Sequence, residues 1–337
     1  MEVAMQRIVL AGRPAGEAGP EHFRLEALVL PEPGPGEVVT RTLWLSLDPY
    51  MRGRMNAGRS YAAPVEIGET MVGQVVAEVV ASRDPGFAPG DLVVAPSGWA
   101  THGVAPGSAL VKVPAGIPPQ AALGALGMPG MTAWTGLTRI AEARAGETLI
   151  VSAATGAVGS IACQLAKARG LRVIGIAGGA EKCRIAVEEF GCDACLDHRG
   201  TSARDLARAI RAEAPDGAQI YFENVGGAVL EAVLPNLADF GRVALCGTIA
   251  WYSANEGGPS AAALWRGILT MRLRVQGFIV TDHWAHFPDF LAEAVPMVAA
   301  GRLRWRETVA EGLAAAPSAF LAMLKGGNLG KQLVRVG

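Results

Sequence analysis

The stretch Ser152-Ala153-Ala154-Thr155-Gly156-Ala157-Val158-Gly159-Ser160 decides the fold. It follows a short apolar run at 148–152. It opens a segment in which Val158, Ile161, Ala162, Leu165 and Ala166 recur at i, i+3, i+4, i+7 and i+8. That spacing puts them on one face of a helix. A strand, a glycine turn and a helix in this order form a place for a dinucleotide's pyrophosphate. Gly156 lets the backbone come close to it, and Gly159 lets the helix pack tightly on the strand. The unpaired N–H groups of the first helical turn face the phosphates. Ala154 stands where the usual fingerprint has its first glycine. Gly156, Ala157, Val158 and Gly159 are the cofactor contacts expected here.

Beyond this turn, strand patterns at 172–176, 194–196, 219–223, 242–246 and 274–280 alternate with helix patterns at 181–190, 202–214, 228–237 and 261–271. A further helix is expected at 287–300. Such alternation predicts a parallel, doubly wound α/β sheet. On the N-terminal side the pattern is different. Short β-prone runs at 7–11, 38–46, 72–80 and 91–95 are separated by Pro/Gly turns such as 31–36 and 87–91, which predicts an all-β lobe. The tail from 304 breaks the alternation, with a helix at 317–324 and a strand at 332–336 that rejoins the first lobe. Residues 113–138 carry no charge, but Pro114, Pro118, Pro119, Pro129 and several glycines interrupt them. Lipid would leave the backbone of such a segment unsatisfied, so buried, broken structure is expected rather than a membrane span.

The strand ending near 176 bears on cofactor choice. Sites for NAD place an acid about 20 residues past the glycines, on the ribose 2′-hydroxyl. Here the sequence reads Ile174-Gly175-Ile176-Ala177-Gly178-Gly179-Ala180, with no acid. Gly178 and Gly179 leave room, and Lys182 follows within reach. A cation suits a 2′-phosphate, so NADPH/NADP+ is expected over NADH, with His198 and Arg199 as supporting contacts.

The 337 residues favour two domains, and half are hydrophobic, enough for a large core. The net charge is −1 with 18% charged residues, which gives no electrostatic case for a nucleic acid or membrane-surface partner. Five cysteines, an odd number, and no signal-peptide pattern over 1–12 point to a reducing, cytoplasmic setting. Cys192 and Cys195 form a lone C-x-x-C with no second pair, and no histidine stands at zinc-site spacing, so no metal is expected.

Six strings then carry a resemblance: Leu45-Ser46-Leu47-Asp48-Pro49-Tyr50-Met51-Arg52; Gly127-Met128-Pro129-Gly130-Met131-Thr132-Ala133; the 153–160 turn; Tyr221-Phe222-Glu223-Asn224-Val225-Gly226-Gly227; Cys246-Gly247-Thr248-Ile249; and Gly327-Asn328-Leu329-Gly330-Lys331. The chain resembles the zinc-independent medium-chain dehydrogenase/reductases. Within them it is most similar to the branch of prostaglandin reductase (leukotriene B4 12-hydroxydehydrogenase) and plant alkenal double-bond reductases. The resemblance implies a GroES-like β-barrel lobe from 1–121 and 304–337, with a Rossmann domain at 122–303 inserted between, and a cleft where nicotinamide and substrate meet. It implies NADPH-dependent reduction of the C=C bond of an α,β-unsaturated ketone or aldehyde, and a homodimer.

By the same resemblance Asn224, the loop of Cys246, Gly247, Thr248, Ile249 and Tyr252, then Phe278, Ile279, Val280 and Asn328 touch the cofactor. Members often carry a tyrosine where His198 stands. Tyr50, Met131 and Trp251 are expected at the substrate, Trp251 being an unusual neighbour for Tyr252. Tyr252 is the expected catalytic residue, a phenol donating to the oxygen on which enolate charge develops. Rival readings are an NADPH:quinone reductase, an alcohol dehydrogenase acting on a lipid mediator, and a non-catalytic NADPH-binding sensor.

Overall fold

The structure, a computed structural model, describes residues 3–253 and 257–337. The expectation for 1–12 therefore lies partly outside the described residues. In chain order the N-terminal part forms β1 (Val3–Leu10), β2 (Phe23–Leu30), β3 (Glu37–Leu47), α1 (Tyr50–Arg54), β4 (Val75–Ser82), β5 (Leu92–Ala95), β6 (His102–Pro106) and β7 (Val111–Lys112). The middle forms α2 (Met128–Thr135), β8 (Thr148–Ser152), α3 (Gly159–Ala168), β9 (Arg172–Ala177), α4 (Ala180–Glu188), β10 (Ala194–Asp197) and α5 (Ala203–Glu213). It continues through β11 (Ala218–Glu223), α6 (Gly227–Val233), β12 (Leu237–Leu245), α7 (Ala261–Thr270), β13 (Arg274–Gly277) and α8 (Phe287–Ala299). The tail adds β14 (Glu307–Glu311), α9 (Ala316–Leu324) and β15 (Lys331–Arg335). The chain divides into two compact units, 1–124 with 307–337, and 125–306.

The middle unit is a parallel sheet in the order β10-β9-β8-β11-β12-β13. From β8 the chain winds outward to β9 and β10, then returns to the other side of β8 as β11. Ligands bind outside the carboxyl ends of strands at such a reversal. Helices cover both faces, so the central strands are apolar on both sides. Leu149, Ile150, Val151, Ile174, Ile176, Ile220, Tyr221 and Phe222 are all fully buried.

Three sequence expectations need correction here. Residues 113–138 are not broken throughout, because α2 runs through 128–135. Pro129 sits in its first turn, where a missing N–H costs nothing. Gly130 lets the helix pack closely, since a Cβ there would lie 2.1 Å from Ala125 O and 2.7 Å from the Phe290 ring. The helix expected at 228–237 ends at Val233, followed by a 3₁₀ turn through Pro235, and β12 already begins at Leu237. Strand β13 stops at Gly277 rather than 280. Its ladder to β12 covers only four pairs, ending at Leu245–Gly277, and past Leu245 the partner leaves the sheet.

In the terminal unit one sheet runs β14-β15-β3-β4-β5-β7, with β6 also on β3 and the hairpin β1–β2 apart. The last strand, β15, pairs antiparallel with β3 over Trp44–Leu47, so the tail closes onto the lobe that began the chain. This lobe is not all-β: α1 and α9 belong to it. Phe23, Trp99 and Phe320 pack in its core, with ring centroids 5.4 to 6.2 Å apart. Strand β2, Phe-Arg-Leu-Glu-Ala-Leu-Val-Leu, has helix-forming composition and escaped the sequence reading; eight paired positions with β1 override it. Among the described residues no helix is long and apolar enough to cross a membrane.

Candidate active site

The middle unit gathers its candidate residues at the carboxyl ends of its strands. After β8, Ala153 takes a left-handed backbone (φ 49°) and the chain turns tightly, Gly156 N donating to Ala153 O at 2.8 Å. Gly159 opens α3 against this turn. A Cβ there would lie 2.2 Å from Ala153 O, so no larger residue fits without moving backbone. Gly156, Ala157 and Val158 remain partly open to solvent. This is a cradle a diphosphate fits, with helix N–H groups facing it.

Beside it, after β9, cations converge on Gly178 and Gly179. A Cβ on Gly178 would lie 3.2 Å from His198 Nε2 and 3.7 Å from Arg199 Nη2, and one on Gly179 3.8 Å from Arg199 Nη1. Lys182 is half-buried on α4. Partial loss of solvent, and then the Arg199 charge, hold its ammonium below the usual lysine range. His198 is likewise held below its ordinary value, by partial loss of solvent first; Asp197 raises it, and Arg199 and Lys182 lower it. The nearest carboxylate, Asp197, is engaged with backbone: Oδ1 accepts from Gly179 N at 2.7 Å and Arg199 N at 2.8 Å. Two fixed cations and a titratable third thus repel one another around a glycine floor. An anion of charge −2 fits that place electrostatically.

The next strand end is organised by a residue the sequence reading did not single out. Glu223 is fully buried, and its Oε1 accepts from Val225 N at 2.6 Å, Gly226 N at 3.1 Å and Ser152 Oγ at 2.9 Å. Burial pushes its carboxyl above the usual range, and the Val225 and Gly226 amides pull it back. The signal in the sequence was an acid ending the apolar run Ala218–Glu223. Asn224 is tied to the same point, its Nδ2 donating to Ser152 O at 2.8 Å.

The loop after β12 hangs from this corner. Cys246 N and Gly247 N donate to Glu223 O, Ile249 N to Asn224 O and Ala250 N to Val225 O. Residues 249–251 form a 3₁₀ turn after Thr248, carrying Trp251 and Tyr252. A Cβ on Gly247 would lie 3.3 Å from Tyr252 Oη, so the absent side chain leaves space for the phenol. Trp251 packs inward: its ring lies 3.1 Å from a Cβ on Gly226, and Nε1 donates to Gly257 O at 3.2 Å. Removal from water, and then Glu223, push the Cys246 thiol up to about 12, so it carries no thiolate at neutral pH. Phe278 packs edge-on against Phe222, and Ile279 and Val280 follow half-buried. Met131 is fully buried on α2.

The terminal unit holds Tyr50 and Asn328. Asn328 Nδ2 donates to Gly330 O at 2.7 Å, shaping the turn before β15. Tyr50 begins α1, directly after a buried ion pair. Lys331 Nζ donates to Asp48 Oδ1 at 2.6 Å and to Leu47 O at 2.7 Å, and Ser46 Oγ donates to Asp48 Oδ2. Burial, and then the Asp48 carboxylate, push the Tyr50 phenol far above its ordinary value, so it stays protonated.

Family models described as the N-terminal domain of oxidoreductase and as zinc-binding dehydrogenase match residues 6–113 and 157–296. An NADPH-dependent curcumin reductase of Escherichia coli (strain K12) is 46% identical, over 98% of this chain and 96% of its own. The chain belongs to the zinc-independent medium-chain dehydrogenase/reductases. Within this family a 2-alkenal reductase (NADP(+)-dependent) of Nicotiana tabacum is 40% identical over 92% of this chain and 90% of its own. The crystal structure of CurA in complex with NADPH from Vibrio vulnificus superposes with a TM-score of 0.93 at 43% identity, covering 98% of this chain and 99% of that one. Among the described residues of this medium-chain reductase, no group of three or more His, Cys, Asp or Glu is placed to hold a metal ion.

Proposed function

We propose that this chain is an NADPH-dependent reductase of the C=C bond of α,β-unsaturated ketones and aldehydes. The observation that carries the reading is the pair His198 and Arg199 over Gly178 and Gly179, with Lys182 as their electrostatic neighbour, beside the Gly156–Gly159 cradle. It suits a dinucleotide with a 2′-phosphate. The family members named for alkenal and curcumin reduction support the substrate class.

Bound NADPH supplies the hydride, to the β-carbon. The chain's own residues do the rest. Gly156, Ala157, Val158 and Gly159 hold the diphosphate. Asn224, residues 246–249, Phe278, Ile279, Val280 and Asn328 are assigned to the cofactor's remaining length. Tyr252 donates a hydrogen bond to the carbonyl oxygen as enolate charge builds there, an interaction stronger in the transition state than in the ground state. The α-carbon then takes its proton from water. Tyr50, a neutral phenol, contacts the substrate. Met131, fully buried, supports the site from behind, and half-buried Trp251 is assigned to the substrate beside Tyr252.

A dimer is part of this reading. Strand β13 is an exposed edge, and Trp265 and Leu269 lie one turn apart on α7, 70% and 76% exposed. Sedimentation at micromolar concentration is expected to give twice the chain mass, and Trp265→Glu to shift it toward the monomer.

The deciding experiment follows NADPH absorbance with a medium-chain 2-alkenal, an aromatic enone and a simple quinone, with NADH in parallel. Products saturated at the C=C bond and weak use of NADH are expected. Oxidation with the quinone alone moves the protein to quinone reduction, and tight NADPH binding with no turnover leaves a sensor.

A further inference from the structure

The Cys192-x-x-Cys195 pair, which the cofactor site does not use, belongs to a larger group. Four of the five cysteines gather around β9. A Cβ on Gly175 of that strand would lie 3.1 Å from Cys195 Sγ and 3.3 Å from Cys192 Sγ. Cys163 on α3 is in side-chain contact with Cys192, and Cys183 on α4 with Cys195. All four are free thiols. Among the described residues none of them joins a group placed to hold a metal ion. Cys163 and Cys192 are shut off from water, 0% and 3% exposed, whereas Cys183 and Cys195 are half-buried and partly open to solvent.

The open pair brackets the cationic strand end. Cys183 N donates to Gly179 O at 3.1 Å, and Gly179 N donates to Asp197 Oδ1 at 2.7 Å. Asp197 lies two residues past Cys195, which faces Gly175 in the β9–β10 ladder. Lys182 precedes Cys183 directly, and His198 and Arg199 follow Asp197. A ring of contacts runs from Cys183 through Gly179 and Asp197 to Cys195, lacking only a covalent link between the sulfurs. An S–S bond is about 2.05 Å long and takes a narrow range of dihedral angles. Free thiols in contact stand farther apart, so closing the bond draws the first turn of α4 toward β10 and carries Lys182 with it. The contact also divides the roles. Partial burial raises both thiols, while the contact favours ionisation of Cys183 and disfavours that of Cys195. Cys183 is therefore the attacking sulfur and Cys195 the resolving one.

We propose that Cys183 and Cys195 form a reversible disulfide that lowers the affinity of the neighbouring site for NADPH. The loss of affinity rests on the reading of Lys182, His198 and Arg199 as the 2′-phosphate site; the disulfide itself does not. Hydrogen peroxide is the oxidant. The Cys183 sulfur attacks one peroxide oxygen, the O–O bond breaks, and a water leaves with the thiol's proton, giving a sulfenic acid. The Cys195 sulfur then forms the S–S bond and expels the sulfenic oxygen as a second water, which takes up the Cys195 proton. The two sulfurs lose two electrons and the peroxide oxygens gain them. A thiol such as glutathione reverses the bond by exchange. By linkage, if the disulfide weakens NADPH binding, bound NADPH favours the dithiol by the same factor.

The test treats the whole protein with hydrogen peroxide and maps its cysteines in a non-reducing digest by mass spectrometry. A Cys183–Cys195 cross-link, removed by a reducing agent, is expected. Oxidation is expected to raise the Kd for NADPH about 10-fold, on the order of one charge-assisted contact, and to leave the Kd for NADH unchanged. In glutathione redox buffers, NADPH saturating both forms is then expected to raise the midpoint potential of the disulfide by about 30 mV, the equivalent of tenfold for a two-electron couple. Cys183→Ser and Cys195→Ala are each expected to bind NADPH as the reduced wild type does, before and after peroxide. No cross-link, or one joining Cys192 to Cys195 instead, overturns the proposal. So does a Cys183–Cys195 bond that leaves NADPH binding unchanged in a protein that prefers NADPH. If the reduced protein binds NADPH and NADH alike, the 2′-phosphate reading fails and the affinity claim falls with it, while the digest still establishes or removes the disulfide.

Discussion

The strand ends after β9 and after β12 meet different demands. After β9 the side chains are charged and the floor is bare glycine: His198 and Arg199 lie over Gly178 and Gly179, with Lys182 their electrostatic neighbour. After β12 the side chains are neutral, and the loop of Cys246 to Tyr252 is held by backbone hydrogen bonds to Glu223, Asn224 and Val225. One region gathers charge at a partly exposed surface. In the other, backbone hydrogen bonds fix the loop that carries Tyr252. Changes after β9 should therefore alter which cofactor binds, and changes after β12 how fast the reaction runs.

The largest effect expected is at Tyr252. Tyr252→Phe is predicted to lower kcat about 100-fold, the size of loss seen when one such donor is removed, with little change in the Kd for NADPH. Single-turnover kinetics with a saturating enone reads it. An unchanged rate would remove Tyr252 from the chemistry and erase the contrast between the two regions.

Next in size is Lys182→Ala, predicted to raise the Kd for NADPH about 10- to 100-fold, on the order of a lost charge-assisted contact, while leaving NADH binding alone. Fluorescence titration with both cofactors distinguishes them. Equal weakening of both would mean that Lys182 serves the fold rather than the phosphate.

The smallest effect sharpens the comparison through pH. His198 is held below its ordinary value of 6.5 in the free protein, by partial loss of solvent and then by Arg199 and Lys182 against Asp197. A depressed folded value means that stability falls as pH drops below about 6.5, where the unfolded chain binds the extra proton. A phosphate dianion beside His198 favours its charged form, so NADPH binding takes up a proton. The preference for NADPH over NADH is thus predicted to grow a few-fold from pH 8.5 to 6.5, before the phosphate itself protonates near 6. His198→Gln is predicted to flatten that slope. A slope that persists in the variant assigns the proton elsewhere.

Legibility in the sequence followed locality. The β8 turn and the alternation after it were readable because Gly156, Gly159 and the apolar face of α3 are close in sequence, and each follows from backbone geometry. The absence of an acid after β9 was readable for the same reason. Glu223 was not: besides its local contacts to Val225 and Gly226, its partner Ser152 meets it only once β8 and β11 lie side by side. Strand β14, Glu307–Glu311, was missed because it lies at a sheet edge, mostly half-exposed, with no apolar alternation to give it away.

The sequence by itself determined the family, the doubly wound sheet and the cationic, acid-free end of β9, because short-range spacing and residue type suffice for these. Only the tertiary structure decided that Lys331 neutralises Asp48 across 283 positions and that Trp251 turns inward onto Gly226. Satisfaction of a charge depends on which distant chain segment arrives beside it, and that is set by packing rather than by local pattern.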